Sequence, residues 1–260
     1  MNRILQLHYK TNNNKSSLLG YQPINWALYT KGIIVELLEV VPWGRSLSEY
    51  RDMFSLSRDD LEKKILGCGD GPACFNTEVS SNGGDVTSID PIYRFNADQI
   101  WSRIDKVYPQ IMEQVSKNKN DYVWKNISSV EELGKVRMEA MMAFLKDYKK
   151  HQKSGRYIDA SLPTLPFNFD EFDLALCSHY LFLYSDHVNL DQHIQSMKEL
   201  CRIAKEVRVY PLLSISSNEK SPHLNPVMAE LERDGIKVSL VPVEYEFQKG
   251  ATEMLVAKSI

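Results

Sequence analysis

The amino-acid sequence predicts an α/β protein built on a mixed, mostly parallel sheet with helices on both faces. Three observations predict it. A short apolar run, Ile65-Leu66, leads into the glycine cluster Gly67-Cys68-Gly69-Asp70-Gly71, which reads as strand, tight turn and helix. Strand-like and helix-like segments alternate after it, the order that βαβ units require. The chain then closes on two strand-like runs, residues 237–247 and 253–259, separated by a Lys249-Gly250 turn, and this hairpin adds antiparallel character.

Residues 11–24 carry Asn12, Asn13, Asn14, Gly20 and Pro23 and read as a polar loop within an N-terminal arm, residues 1–42. Ser57-Arg58-Asp59-Asp60 has the form of a helix start and predicts a short helix before Lys63. Pro72 suits the first turn of the helix that follows the glycines, because its missing N–H has no intrahelical partner there. After Gly83-Gly84-Asp85, the β-rich Val86-Thr87-Ser88-Ile89 predicts a second strand that stops at Asp90-Pro91. Ile100, Ile104, Val107 and Ile111, then Leu133, Val136, Ala140, Phe144, Leu145 and Tyr148, recur at helical spacing and predict an antiparallel helix pair, an insertion at about residues 96–155. Strand 172–178, helix 190–205, a strand from Glu206 to Pro211 and helix 224–233 complete the alternation.

Composition narrows the function. The 260 residues are 43% apolar and 25% charged, a globular balance, and 31 Lys+Arg against 34 Asp+Glu give a net charge of −3. Without a basic excess there is no overall footprint for duplex nucleic acid, although a local basic groove stays open. The apolar run 33–41 is interrupted by Glu36 and Glu39, so neither a membrane span nor a signal segment is expected, and the default location is cytoplasmic. Four scattered cysteines, Cys68, Cys74, Cys177 and Cys201, form no C-x-x-C pair and read as reduced thiols. His179, His187 and His193 are eight and six residues apart, which puts no two on one helical face, so no metal site is expected.

The glycine turn is where chemistry is expected. Glycines permit a backbone turn that side chains block, and the helix amides beyond them point at a polar or anionic ligand. Asp90 stands 19 residues after Gly71 at the end of the second strand, where a carboxylate accepts hydrogen bonds from ribose hydroxyls. Together they favour an adenosine-type ligand. The G-x-G-x-G spacing followed by Pro72 makes a nicotinamide cofactor the weaker reading, and the absence of G-x-x-x-x-G-K-[ST] leaves a P-loop unsupported. Tyr93 is expected to lay its ring on the adenosine, and Trp43-Gly44-Arg45 with Tyr50-Arg51 to close over the pocket, Arg45 facing a cofactor carboxylate. His179, directly after a strand, is the candidate acid or base.

On Ile65-Leu66-Gly67-Cys68-Gly69-Asp70-Gly71-Pro72-Ala73, on Ser88-Ile89-Asp90-Pro91, on Leu165-Pro166-Phe167 with Phe172-Asp173-Leu174-Ala175, and on the closing strand pair, residues 43–260 resemble a class I S-adenosylmethionine-dependent methyltransferase. The resemblance implies a Rossmann-like seven-stranded sheet, S-adenosylmethionine as cofactor, and methyl transfer. It also implies that Gly67, Cys68, Gly69 and Gly71 lie under the methionine part, that Asp90 and Pro91 hold the ribose, and that Ser178, His179 and Tyr180 line the transfer site, His179 and Tyr180 as catalytic candidates. Two departures stand out: Ile65 occupies the usual acidic position before the first glycine, and Ser161 stands where an acid often contacts the adenine, leaving Ser161 or the Leu162 backbone as substitute. A small-molecule acceptor is expected, with the insertion as its roof or, alternatively, as a dimerisation arm. The rival of a different class is a cofactor-binding regulatory or scaffold protein without turnover.

Overall fold

A computed structural model describes residues 27–30, 33–36 and 42–258. The expected loop at 11–24 lies outside them. Within the N-terminal region, β1 (Ala27–Thr30) and β2 (Ile33–Glu36) pair antiparallel as a separate two-stranded sheet.

The main domain opens with a helix that the sequence expectation lacks, α1 (Leu47–Phe54), started by a reciprocal cap in which the Ser46 hydroxyl accepts from the Glu49 N–H and the Glu49 carboxylate accepts from the Ser46 N–H. The short α2 (Arg58–Leu61) uses the same device with Ser57 and Asp60, as its sequence suggests. Next come β3 (Lys64–Cys68), the glycine turn, α3 (Phe75–Ser81) and β4 (Asp85–Ile89). Pro72 is not in the first turn of α3: that helix begins at Phe75, and Pro72 stays in the turn before it.

The insertion is an amphipathic pair, α4 (Ala97–Lys117) and α5 (Val130–His151), closed by the short β5 (Tyr157–Ile158). The anticipated stripe of Ile100, Ile104 and Val107 is buried, and on α5 so are Leu133, Ala140, Phe144 and Tyr148. Between Val136 and Met138, however, Arg137 is fully buried, which the apolar periodicity does not anticipate. Then follow β6 (Phe172–Ser178), α6 (Leu190–Ile203), β7 (Ala204–Tyr210), α7 (Leu224–Arg233), β8 (Lys237–Pro242) and β9 (Glu253–Lys258). Ala204 therefore starts a strand rather than ending a helix, and β8 stops at Pro242, five residues short of its expected end.

The sheet has seven strands in the order β5-β4-β3-β6-β7-β9-β8. Every neighbouring pair is parallel except those made by β9, which runs antiparallel to both β7 and β8. Side chains alternate across it as strand geometry dictates. Leu66, Ala175 and Cys177 face Met197 and Leu200 of α6 and Val227 of α7, while Ile65, Leu174 and Leu176 face Met53 and Phe54 of α1 and Phe75 of α3. Two cores thus sandwich one sheet. The chain runs outward from β3 through β4 to β5 and then crosses back to place β6 on the other side of β3, so the strand order reverses between β3 and β6. In open α/β sheets the crevice at the carboxyl ends of such strands is where ligands bind.

Candidate functional site

A cavity of about 1100 Å³ opens at that reversal point. Cys68, Gly69, Asp70 and Gly71 of the turn after β3 form its floor, Asp90 and Pro91 after β4 one wall, and His179 and Tyr180 after β6 the other. Ser161 and Leu162 line it beyond β5, and Arg45 lines it from the segment before α1.

The turn needs glycine for two different reasons. Gly69 has φ +73°, a left-handed conformation, and a Cβ there would stand 3.1 Å from the Tyr180 Cβ and 3.2 Å from the Ser178 carbonyl oxygen. Gly67 has no such backbone demand, but a Cβ on it would fall on the Asp70 carboxylate. Gly67 is thus a seat for Asp70 and lies off the cavity wall, a correction to its expected place beneath a cofactor.

Asp90 is held from below. Its Oδ1 accepts from the Ile92 N–H at 2.8 Å and its Oδ2 from the Gly71 N–H at 2.9 Å, which pins the glycine turn to the end of β4. A carboxylate has about four lone-pair sites, so one on each oxygen is left over. Burial pushes this carboxyl up to about 6, against the pull of the two N–H bonds.

Asp70 was not singled out by sequence reasoning, although it sits inside the glycine motif. It is 5% exposed; its Oδ1 accepts from the Tyr50 phenol at 2.7 Å and its Oδ2 from the Ser88 hydroxyl at 2.5 Å. Burial raises it to about 6 as well. Ile65, where an acid was the family expectation, is wholly buried among Phe75 and Leu174. The buried acid of this turn comes from Asp70 instead.

Three other expectations need correcting. Tyr50 is 1% exposed, stacked on Phe75 at 4.3 Å, and reaches the cavity only through its bond to Asp70. Tyr93 does not face the cavity: its ring packs among Phe144, Tyr148 and Tyr157 under the insertion, and its hydroxyl donates to the Gly71 carbonyl at 2.7 Å. It braces the turn from outside. Ser178 is 2% exposed, and its hydroxyl lies 3.1 Å from Nδ1 of His179 rather than on the wall.

His179 has φ +50° and its N–H donates to the Tyr210 carbonyl at 2.8 Å, so the backbone turns the ring out of the strand at the cavity's edge. Burial, then the Arg45 and Arg137 guanidiniums, hold its imidazole well below the ordinary 6.5, which leaves it neutral near pH 7. Arg137 donates to Glu49 Oε2 at 2.6 Å, and Tyr245 donates to Oε1 at 3.0 Å. Arg137 is fully buried and paired with Glu49, whereas Arg45, partly exposed on the cavity wall, makes no ion pair with that carboxylate. Among the described residues the Arg45 side chain makes one hydrogen bond, a long 3.4 Å contact from Nη1 to the Trp43 carbonyl, and its Nε has no partner. The result is excess positive charge beside the cavity.

The insertion supplies the far wall through Gln99, Arg103, Gln114 and Tyr122. Its tip is tied to the β8–β9 connection: the Val123 N–H donates to the Phe247 carbonyl at 2.8 Å, the Lys249 N–H to the Asp121 carbonyl at 3.1 Å, and the Tyr122 ring stacks on Phe247 at 4.8 Å. Trp124 packs edge-on against Phe247 and stays off the cavity. Tyr245, Phe247 and Gln248 are wall residues without a sequence signal beyond their aromatic density. Among the described residues no cluster of three potential metal ligands occurs, and no helix is long and apolar enough to cross a membrane.

No family model matches the chain. It is 33% identical over 226 residues to an uncharacterized protein, MJ0045, of Methanocaldococcus jannaschii, a match that covers 86% of this chain and 98% of that one. Among solved structures it is similar to the magnesium protoporphyrin IX methyltransferase of Synechocystis with bound cofactor (TM-score 0.42, 10% identity, 78% of this chain and 73% of that one). A further likeness is to a SAM dependent methyltransferase of Aquifex aeolicus (TM-score 0.40, 14% identity, 82% and 93%). The chain belongs to the family of the M. jannaschii protein, and its seven-stranded, mostly parallel sheet is the architecture that the sequence resemblance implies.

Proposed function

We propose that the protein transfers a methyl group from S-adenosylmethionine to a small-molecule acceptor. The observation that carries this reading is Asp90, anchored by two backbone N–H groups to the glycine turn and facing the cavity at the strand-order reversal with one lone pair spare on each oxygen. Two ribose hydroxyls are the donors that such a carboxylate suits.

The other cavity residues fit the same ligand. Leu162, 6% exposed, and Ser161 form the apolar and polar sides of an adenine slot beyond β5. The under-paired guanidinium of Arg45 suits the carboxylate at the amino-acid end, which Ile65 leaves without its usual acidic neighbour. When bound, the cofactor supplies a methyl group already activated on a sulfonium. The chain's own contribution is then alignment and the exclusion of water. Tyr180 packs on Gly69 and fixes the edge where floor and wall meet, and neutral His179 offers a lone pair to a proton on the acceptor. A cavity of about 1100 Å³, just above the roughly 300–1,000 Å³ usual for a small-ligand site, has room for an acceptor beside the cofactor. The net charge of −3 favours a small molecule over nucleic acid.

The test is turnover with methyl-labelled S-adenosylmethionine against fractionated small-molecule extracts. Label appearing in a small-molecule product supports the reading. Label in protein or RNA only overturns the small-molecule part, and cofactor binding without any transfer or hydrolysis returns the scaffold reading.

A further inference from the structure

The cavity has two chemically different ends. At one, Asp90, the glycine turn and Ser161 are polar. At the other, Trp43, Ile111, Val115, Tyr122, Leu133 and Phe247 line it and also pack together as one apolar cluster. They come from the segment before α1, both insertion helices, the loop between those helices and the β8–β9 connection, so separate stretches of chain converge on one apolar surface. The Tyr122 ring stacks on Phe247 at 4.8 Å with 21° between the planes. A wall of rings leads to this end from His179, whose imidazole packs edge-on to Tyr210 at 5.7 Å, as Tyr210 does to Tyr245 at 5.9 Å. Both tyrosine hydroxyls are committed elsewhere: Tyr245 donates to Glu49 Oε1 at 3.0 Å and Tyr210 to the Ala251 carbonyl at 2.9 Å. What they offer the cavity is ring carbon, and ring faces and edges favour an aromatic guest over a saturated one of equal size.

His179 narrows the reacting group. Its Nδ1 lies 3.1 Å from the Ser178 hydroxyl, which leaves Nε2 for the acceptor. Burial and the neighbouring guanidiniums make this imidazole a weak base, and a weak base assists an acidic hydroxyl best. A phenol, which ionises at a pH of roughly 10, meets that need; an aliphatic alcohol, close to water at roughly 15.7, does not. We propose that the acceptor is a phenol carried on a planar, multi-ring aromatic body, seated against Trp43, Tyr245 and Phe247 with its hydroxyl at Nε2 of His179. The inference rests on the methyl-transfer reading and adds the chemical class of the acceptor. In the step, the phenol oxygen bonds to the methyl carbon as the C–S bond breaks, its electron pair staying on sulfur. The phenol proton passes to Nε2, so the positive charge moves from sulfur to the imidazole and then leaves with that proton to solvent. An aryl methyl ether and S-adenosylhomocysteine remain. His179 alone touches the reacting hydroxyl; the ring wall sets which molecule brings it there.

The experiment is calorimetry on the full chain saturated with S-adenosylhomocysteine, titrated with 2-naphthol and with decahydro-2-naphthol, the saturated molecule of the same carbon skeleton. The aromatic member is expected to bind at least about tenfold more tightly, the yield of a few ring contacts. Phe247→Leu keeps an apolar side chain without the ring and should shrink that ratio to about threefold or less, while Phe247→Trp restores it. Trp43→Leu, in a separate segment, is the second variant and should shrink the ratio likewise if Phe247→Leu melts far below the wild type. Turnover with methyl-labelled S-adenosylmethionine should place label in 2-methoxynaphthalene and none in the decahydro compound. Equal binding of the pair, tighter binding of the saturated member, binding of neither, or a ratio that neither leucine variant moves overturns the aromatic acceptor. Binding of 2-naphthol without labelled product overturns the placement of its hydroxyl at His179. Failure of the wild type to bind S-adenosylhomocysteine instead defeats the methyl-transfer reading, and the same titrations on the ligand-free chain then test the ring-lined end by itself.

Discussion

Fold stability and cofactor affinity should move in opposite directions with pH, and Asp90 couples them. Its carboxyl is lifted from the ordinary 3.8 to about 6, chiefly by burial, and Asp70 is lifted to the same value. A folded value above the unfolded one means that the associated stability is fully present below about 3.8 and is lost as pH rises through about 6. At about two pH units per group, this amounts to about 3 kcal/mol for each carboxylate at full ionisation. The ligand works the other way: ribose hydroxyls donate to the ionised carboxylate, so S-adenosylhomocysteine should bind more tightly as pH climbs through that window and then level off. Asp90→Asn separates the two effects. The amide keeps one acceptor oxygen, removes the titration, and turns an NH2 toward a backbone N–H or a ribose hydroxyl. Losing charge-assisted bonds should cost about 1.5 to 3 kcal/mol, roughly ten- to a hundredfold in Kd. Calorimetry and thermal melts over a pH series on both proteins read this directly: the variant should bind weakly at every pH, and its melting temperature should fall less across the window. A wild type whose affinity is flat through that window, with Asp90→Asn equal to it, refutes the reasoning.

Gly69→Val should abolish measurable S-adenosylhomocysteine binding and lower the melting temperature, because the branched side chain meets both a left-handed backbone and the Tyr180 Cβ at 3.1 Å; a variant matching wild type in both contradicts this. Arg45→Gln should weaken S-adenosylhomocysteine about tenfold to a hundredfold yet leave methylthioadenosine, which lacks the amino-acid end, unchanged in calorimetry; equal losses for both would move the anion elsewhere. Tyr122→Ala, which removes the ring stacked on Phe247, should impair acceptor turnover while sparing cofactor affinity, whereas unchanged turnover with a shifted oligomer distribution in light scattering makes the insertion a dimerisation arm.

Much of the architecture is legible because the sheet is built from strong local signals. Residues 172–178 form a strand as read from the apolar stretch Leu174-Ala175-Leu176-Cys177, and Leu224–Arg233 ends as a helix just before Gly235 as read from the stop signal. Helix α1 was less legible, since its capping box, Ser46 with Glu49, is followed by a sequence with weak apolar periodicity that becomes buried only by packing on α3 and β7. In the site, Asp90 and the glycines announce themselves through residue type and spacing. Asp70 does not, because its role depends on Tyr50 and Ser88 arriving from 20 and 18 residues away. Tyr93 fails in the other direction: three residues past Asp90 suggests a ligand-facing ring, but the insertion's own aromatic core captures it. Arg137 sits on a helix face that periodicity assigns to apolar packing, and only its partner on α1, Glu49, explains its burial.

Titration of the wild-type protein with S-adenosylmethionine, S-adenosylhomocysteine, NAD and ATP by calorimetry tests the central claim most directly. The two sulfur nucleosides should bind, with NAD and ATP much weaker, and saturating S-adenosylhomocysteine should raise the melting temperature because only the folded state forms the cavity. NAD binding as tight as, or tighter than, either sulfur nucleoside would contradict the account.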